Sequence, residues 1–178
     1  ERVYVGDYAG KLWRVDYNKD TDTWTVAYNG NPMFSTDNGA PITGAPYATT
    51  TDGKTYVVVG TGQYLNESGT AADVQNYAYG LIDDSSNTSP ISASSLLDQN
   101  IDSRVDYNKD TNRTLWSITK NAFIEGTHRG WRLKLNPGQA IASNALVRGD
   151  TLAEFVVVRR TDDGSEAAKK TNPCMISG

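Results

Sequence analysis

The chain has 178 residues, with 17 Lys plus Arg against 21 Asp plus Glu and a formal net charge of −4. That is one domain or part of one, and its bases are too dispersed for nucleic-acid binding, which needs clustered cations to neutralise phosphates. No apolar run approaches the ~20 residues of a membrane-spanning helix, and one His with one Cys excludes a multi-histidine site, a Cys/His zinc site and an internal disulfide.

Sixteen of the acids are Asp, accompanied by fourteen Asn and sixteen Gly. Asp and Asn compete for nearby backbone groups and favour turns over helix interiors, so a helical bundle is disfavoured. Period-two alternation dominates instead. Residues 2–7 read as a strand, Tyr8-Ala9-Gly10 as a tight turn, and 11–16 as the returning strand. Leu12 is expected to share a face with Val3 and Val5, and Trp13 to share the other with Tyr4. A third strand covers 24–28. Pro41 and Pro46 make 42–50 an edge or irregular strand.

Residues 54–60 read as a fully buried strand, followed by strands over 77–83, 101–105, 114–119, 130–135 and 155–160. One short helical turn is expected within 92–100. With ten or eleven strands and no longer helix, the fold class is all-β.

Arg14-Val15-Asp16-Tyr17-Asn18-Lys19-Asp20-Thr21 recurs as Arg104 to Thr111, ninety positions on. That spacing is about twice the ~40–45 residues of one propeller blade, and repetition of a strand–turn–strand unit favours a propeller over a sandwich. Asp16, Asn18 and Asp20 also have the alternating oxygens of a calcium loop. Thr21 stands where that loop needs Gly and Ala27 where it needs Glu; the second copy has Thr111 and Ser117 there. Asx-turns between strands are therefore favoured over calcium, which stays a candidate ligand of these three residues. Gly60-Thr61-Gly62 lacks the third glycine of a dinucleotide turn, since Leu65 occupies its place. His128 reads as a turn residue with no nucleophile beside it, and Asp83-Asp84 and Asp162-Asp163 as strand exits and turns rather than catalytic pairs. Nothing in these residues argues for an enzyme. Cys174 is either a free thiol or the partner of a cysteine outside the chain.

Six ordered segments resemble PilY/PilC-type proteins of type IV pili. Residues 2–16 are similar to that family's "VYVGD-x-x-G-x-LWR-x-D" hairpin, and 41–46 to its "PIT-x-AP". Residues 57–65 are similar to "VVFGTG-x-YL", 79–83 to "YG-x-x-D", 130–135 to "GW-x-L-x-L", and Pro173-Cys174 to "PC". The resemblance implies part of the C-terminal, quinoprotein-like β-propeller of a large secreted protein, here roughly three blades of antiparallel sheet within a single domain. A closed ring has at least about four blades, so the chain is expected not to close alone, and its two ends read as cut.

The resemblance further implies an extracellular, non-enzymatic module at the pilus tip or cell surface that supports pilus assembly, opposes retraction and mediates attachment. Minor pilins and a host or abiotic surface would be its partners. The family's calcium loop ends just before the first strand, which gives Glu1 the place of its last acid. The hairpin pattern also occurs in quinone-dependent dehydrogenases, so a propeller enzyme and a purely structural fragment are the alternative readings.

Overall fold

The computed structural model describes residues 1–63, 74–84, 88–106, 114–149 and 152–159. Cys174, Asn108, Asp110, Thr111, Leu65, Asp162 and Asp163 lie outside them. Strands dominate, as the alternation and turn chemistry require.

The first sheet is built from β1 (Arg2–Gly6), β2 (Lys11–Asn18) and β3 (Thr23–Val26), with the short β4 (Phe34–Ser35) pairing the start of β2. The β1–β2 turn is organised by one carboxylate. Asp7 Oδ1 accepts the amides of Ala9 and Lys11, both at 2.9 Å, and Oδ2 accepts Trp13 Nε1 at 2.9 Å. Burial raises the Asp7 carboxyl, but these donors outweigh it and hold the group below its usual range. Gly10 closes the turn at φ +73, and a Cβ there would lie 2.1 Å from Thr36 Oγ1. Asp7→Ala leaves three donors without their acceptor and is expected to cost about 1–3 kcal/mol. Urea unfolding checks this, with the exposed neighbour Tyr8→Ala as a near-neutral control.

This turn also corrects the expected face assignment. The register is Val5 opposite Trp13, Val3 opposite Val15 and Gly6 opposite Leu12. Directly opposed residues share a face. Val3, Val5, Trp13 and Val15 therefore lie together on the outside, joined from β3 by Val26 opposite Val15 and Trp24 opposite Tyr17. Leu12 points inward with Tyr4, because five residues separate the paired Gly6 and Leu12, which sets odd positions opposite odd.

The second sheet runs β5 (Tyr47–Thr51), β6 (Lys54–Gly60), β7 (Tyr77–Asp83), β10 (Gly130–Lys134), β8 (Leu97–Asp106), β9 (Thr114–Ile118). Its first four members are antiparallel neighbours, and the β8–β9 hairpin joins the far edge of β10. That junction is parallel, Trp131 facing Leu97 and Lys134 facing Asn100, so the sheet is mixed rather than antiparallel throughout. The physical reason is connectivity: β10 re-enters between β7 and the hairpin that precedes it. One 3-10 turn, Ala93–Ser95, is capped by Ser92.

Period two divides the second sheet into two buried faces. Val57, Val59, Tyr79 and Leu81 point toward the first sheet and pack with Leu12, Tyr28, Met33, Phe34, Ile42, Ile91 and Leu96. Ala78 points the other way, into a smaller cluster with Leu135 and Ile141, flanked by Trp131, Leu133, Phe155 and Val157. Over that second face lie β11 (Gln139–Ala140) paired with β14 (Val158–Arg159), and the hairpin β12 (Leu146–Arg148) and β13 (Leu152–Glu154). The result is three β layers in a stack. Backbone bonds tie the first two: Ile42 N donates to Asp7 O at 3.0 Å and Gly62 N to Pro41 O at 2.8 Å.

Candidate functional site

The last residue of β7 carries the strongest chemistry. Asp83 lies in the seam between the first and second sheets with its side chain wholly buried. A carboxylate there is tolerable only if its charge and lone pairs are matched. β1 supplies Tyr4, whose hydroxyl donates to Oδ2 at 2.6 Å, and β2 supplies Arg14, whose Nη1 donates to Oδ1 at 2.8 Å. The turn after β3 supplies Tyr28, whose hydroxyl donates to Oδ1 at 2.6 Å.

Arg14 is itself held from the other side. Its Nε and Nη2 donate to Asp16 at 2.9 and 2.6 Å, a bidentate fork of the kind that makes Arg–carboxylate pairs specific. Arg2 approaches both acids at longer range, 3.7 Å to Asp83 and 3.8 Å to Asp16. Two guanidinium groups thus neutralise two carboxylates across the joint between sheets.

Tyr28 reaches Asp83 from an unusual backbone. Tyr28 and Asn29 sit at φ 55 and 57 and Gly30 at φ 79, a left-handed turn. For a bulky residue that conformation costs roughly 1–3 kcal/mol and persists only where the surroundings over-determine it. Here the Tyr28 hydroxyl is bonded to Asp83 and the Arg14 guanidinium lies 5.4 Å from the ring centroid.

The electrostatics close the site to acid–base work. Burial pushes the Asp83 carboxyl up, but the hydroxyls of Tyr28 and Tyr4 and the Arg14 cation more than reverse it, so the group lies below its ordinary value. Burial, then the bond to Asp83, pushes both tyrosines far up, and they stay protonated donors. Arg14 is raised, first by its bond to Asp16. A general base needs a pKa near working pH and a free lone pair facing substrate. Asp83 is too acidic and its oxygens are occupied. It acts as a fastener between the two sheets.

The sequence-based site residues are distributed differently from a calcium loop. Asp16 is engaged by Arg14 and Arg2. Asn18 Oδ1 accepts the Asp20 amide at 2.9 Å, which is an Asx-turn. Glu1 pairs with Lys19 at 3.3 Å. Among the described residues no three His, Cys, Asp or Glu side chains come together in a metal-binding group. His128 Nδ1 accepts the Ile124 amide at 2.9 Å and its ring lies 5.4 Å from Phe123, which fixes the loop before β10.

Asp83, a polar strand exit by sequence pattern, is instead buried, and this is the main difference between structure and expectation. The available signal was parity: Tyr79, Leu81 and Asp83 occupy alternate positions of one strand and so share its buried face.

A separate, apolar concavity of about 360 Å³ opens on the far face of the second sheet, with Tyr56, Val58, Ile82, Phe123 and Trp131 among its walls. Comparison of the chain with family models, curated proteins and solved structures gives no match.

Proposed function

We propose that the chain is about three blades of a quinoprotein-like β-propeller in a PilY/PilC-type protein, serving as a non-enzymatic module for type IV pilus assembly and attachment at the cell surface. What supports this reading is that the segments resembling the family coincide with the fixed points of the stack. The "VYVGD-x-x-G-x-LWR-x-D" hairpin supplies Asp7, which organises its turn, and Tyr4, Arg14 and Asp16 of the buried network. The "PIT-x-AP" segment makes the Pro41–Gly62 link between layers. "YG-x-x-D" supplies Asp83, and the Trp of "GW-x-L-x-L" lies directly opposite its Gly80. Residues that hold sheets against one another give a family its scaffold; its binding diversity then lies in the loops the scaffold presents.

In this reading the partners are minor pilins and a surface receptor. Asp16 is paired with Arg14, and the calcium loop implied by the resemblance involves only Glu1 of this chain. Deleting the encoding gene is expected to abolish surface pili and attachment, scored by electron microscopy and by adhesion to an inert surface. Normal piliation and attachment in the deletion strain overturn the reading.

A further inference from the structure

We propose that His128 is a pH-operated latch: its neutral imidazole holds the loop 122–128 shut beside the apolar concavity, and its protonation releases that loop together with Phe123, one wall of the concavity. The inference does not rest on the pilus reading. The loop hangs between two fixed points. At its start, Asn121 donates Nδ2 to the Asp98 carbonyl at 2.7 Å and its amide to Gln99 Oε1 at 3.2 Å, while its own carbonyl accepts Gln99 Nε2 at 3.0 Å. At its end, Arg129 donates its amide to the Ser95 carbonyl at 2.8 Å and accepts the Ile82 amide at 2.9 Å, and its Nη1 donates to the carbonyls of Ser89 and Pro90.

Between those anchors the polar contacts gather on one residue. Ile124 donates its amide to His128 Nδ1 at 2.9 Å, and its carbonyl accepts the amides of Thr127 and His128 at 3.2 and 3.0 Å. The Phe123 and His128 rings lie 5.4 Å apart, so the imidazole holds both the turn and the aromatic wall. The other polar tie of the loop among the described residues is Lys54 Nζ to Glu125 at 2.6 Å. The Glu125 side chain is 81% exposed, and an exposed pair of this kind holds weakly.

A neutral imidazole whose Nδ1 accepts carries its proton on Nε2, whereas an imidazolium has a proton on both nitrogens and accepts nothing. Protonation therefore sets two N–H donors against each other where one bond was. The latch is complete while the ring is neutral and is lost as pH falls through the imidazole range, between about pH 8 and pH 5. His128 is the chain's single histidine. On its loop, the bond to Lys54 of β6 holds Glu125 below its ordinary range and raises Lys54, which also feels Asp84 after β7. Asp98 of β8 is held low by Arg132 of β10, and Lys120 and Arg129 flank the loop. None of these residue types changes charge in that window. The terminal amino group can, but it sits on the first sheet, bonded to the Tyr17 carbonyl at 3.2 Å. The Asp83 carboxyl lies below its ordinary value and stays ionised there, so the seam between sheets is not disturbed. Acid thus opens the concavity on the Phe123 side while Val58 and Gly80, paired in the sheet, keep its floor.

The test follows amide hydrogen exchange by NMR in the full 178-residue chain at about pH 8 and about pH 5, each rate normalised to an unstructured peptide at the same pH. Protection of the Ile124, Thr127 and His128 amides is expected to fall together in acid by at least about fivefold, the weight of one ordinary hydrogen bond, and to follow the titration of the single imidazole. His128→Asn places an amide oxygen where Nδ1 accepts and does not titrate, so it is expected to keep protection at both pH values. His128→Phe, with no acceptor, is expected to lose protection at both. Wild-type protection that is equal in acid and base overturns the inference. So does a loss confined to Ile124, which would break the bond without opening the loop, and so does an acid loss of the same size in His128→Asn. The wild-type comparison stands by itself if either variant fails to fold.

Discussion

Asp83→Ala is expected to destabilise the protein by about 3–5 kcal/mol, the cost of breaking a buried charge pair from one side. The magnitude follows from what the change leaves behind. Arg14, only 12% exposed, keeps Asp16 but loses the anion on its Nη1 side, and two buried hydroxyls lose their acceptor. Tyr28 would also hold a left-handed backbone without the contact that offsets it. Tyr4→Phe and Tyr28→Phe each remove one donor and are expected to cost about 1 kcal/mol. A double-mutant cycle between Asp83→Asn and Arg14→Met isolates the ion pair, since residues in one network do not add independently. If Asp83→Ala costs no more than the two phenylalanine changes together, the charge contributes nothing and the fastener is only a hydrogen-bond cluster.

The same carboxylate fixes the sign of the acid response. Its folded pKa lies below 3.8, the ordinary value. A depressed acid contributes stability that is complete above its unfolded pKa, about 3.9, and is lost as pH falls through the folded value. Wild type is therefore expected to lose stability steadily as pH drops below about 4, with part of that slope missing in Asp83→Asn. The measurement is the urea midpoint against pH; parallel wild-type and Asp83→Asn profiles contradict the assignment.

How far the sequence carries depends on whether an element is defined locally. β6 and β7 occupy 54–60 and 77–83 as read, because runs of β-branched and aromatic residues end abruptly at Gly or Asp. The all-β class, the 3-10 turn after Ser92 and the Asx-turn at Asn18 rest on similarly local chemistry. The missed strands β4 and β11 are two residues long and exist only because a distant segment offers hydrogen bonds. β8 begins at Leu97 rather than 101, since its first residues are recruited by parallel pairing with β10. No periodicity records such a neighbour. The inverted faces of β1 and β2 came from a loop length that alternation alone does not fix. Asp83 was missed for a related reason: Asp at a strand end is ordinarily a turn residue, and only its alternation with Tyr79 and Leu81 marks it as inward.

Gly130→Ala is expected to cost about 3 kcal/mol or more, and its cause is backbone rather than charge. Gly130 opens β10 at φ +145, and an added Cβ would lie 2.3 Å from the carbonyl oxygen of Gly80 and 3.0 Å from Leu81 Cα. Backbone atoms in the middle of a sheet cannot swing aside as a side-chain tip does. Strain at a glycine-favouring φ adds roughly 1–3 kcal/mol, and overpacking a further 1–3 kcal/mol. Gly126→Ala separates the two, because Gly126 has φ +80 but open space around its Cβ position; it should show only the conformational part, about 1 kcal/mol. The consequence reaches past β10. Trp131 lies opposite Gly80, and a Cβ on Gly80 would meet the indole at 2.4 Å, so the ring rests on bare backbone. Forcing Gly130 and Gly80 apart would lift that indole from its seat at the wall of the apolar concavity. Tryptophan fluorescence of folded Gly130→Ala should therefore shift while Gly126→Ala keeps the wild-type spectrum. Equal stability of the two variants would mean that the β7–β10 seam yields, and that the close approach of the two glycines is not what holds Trp131 in place.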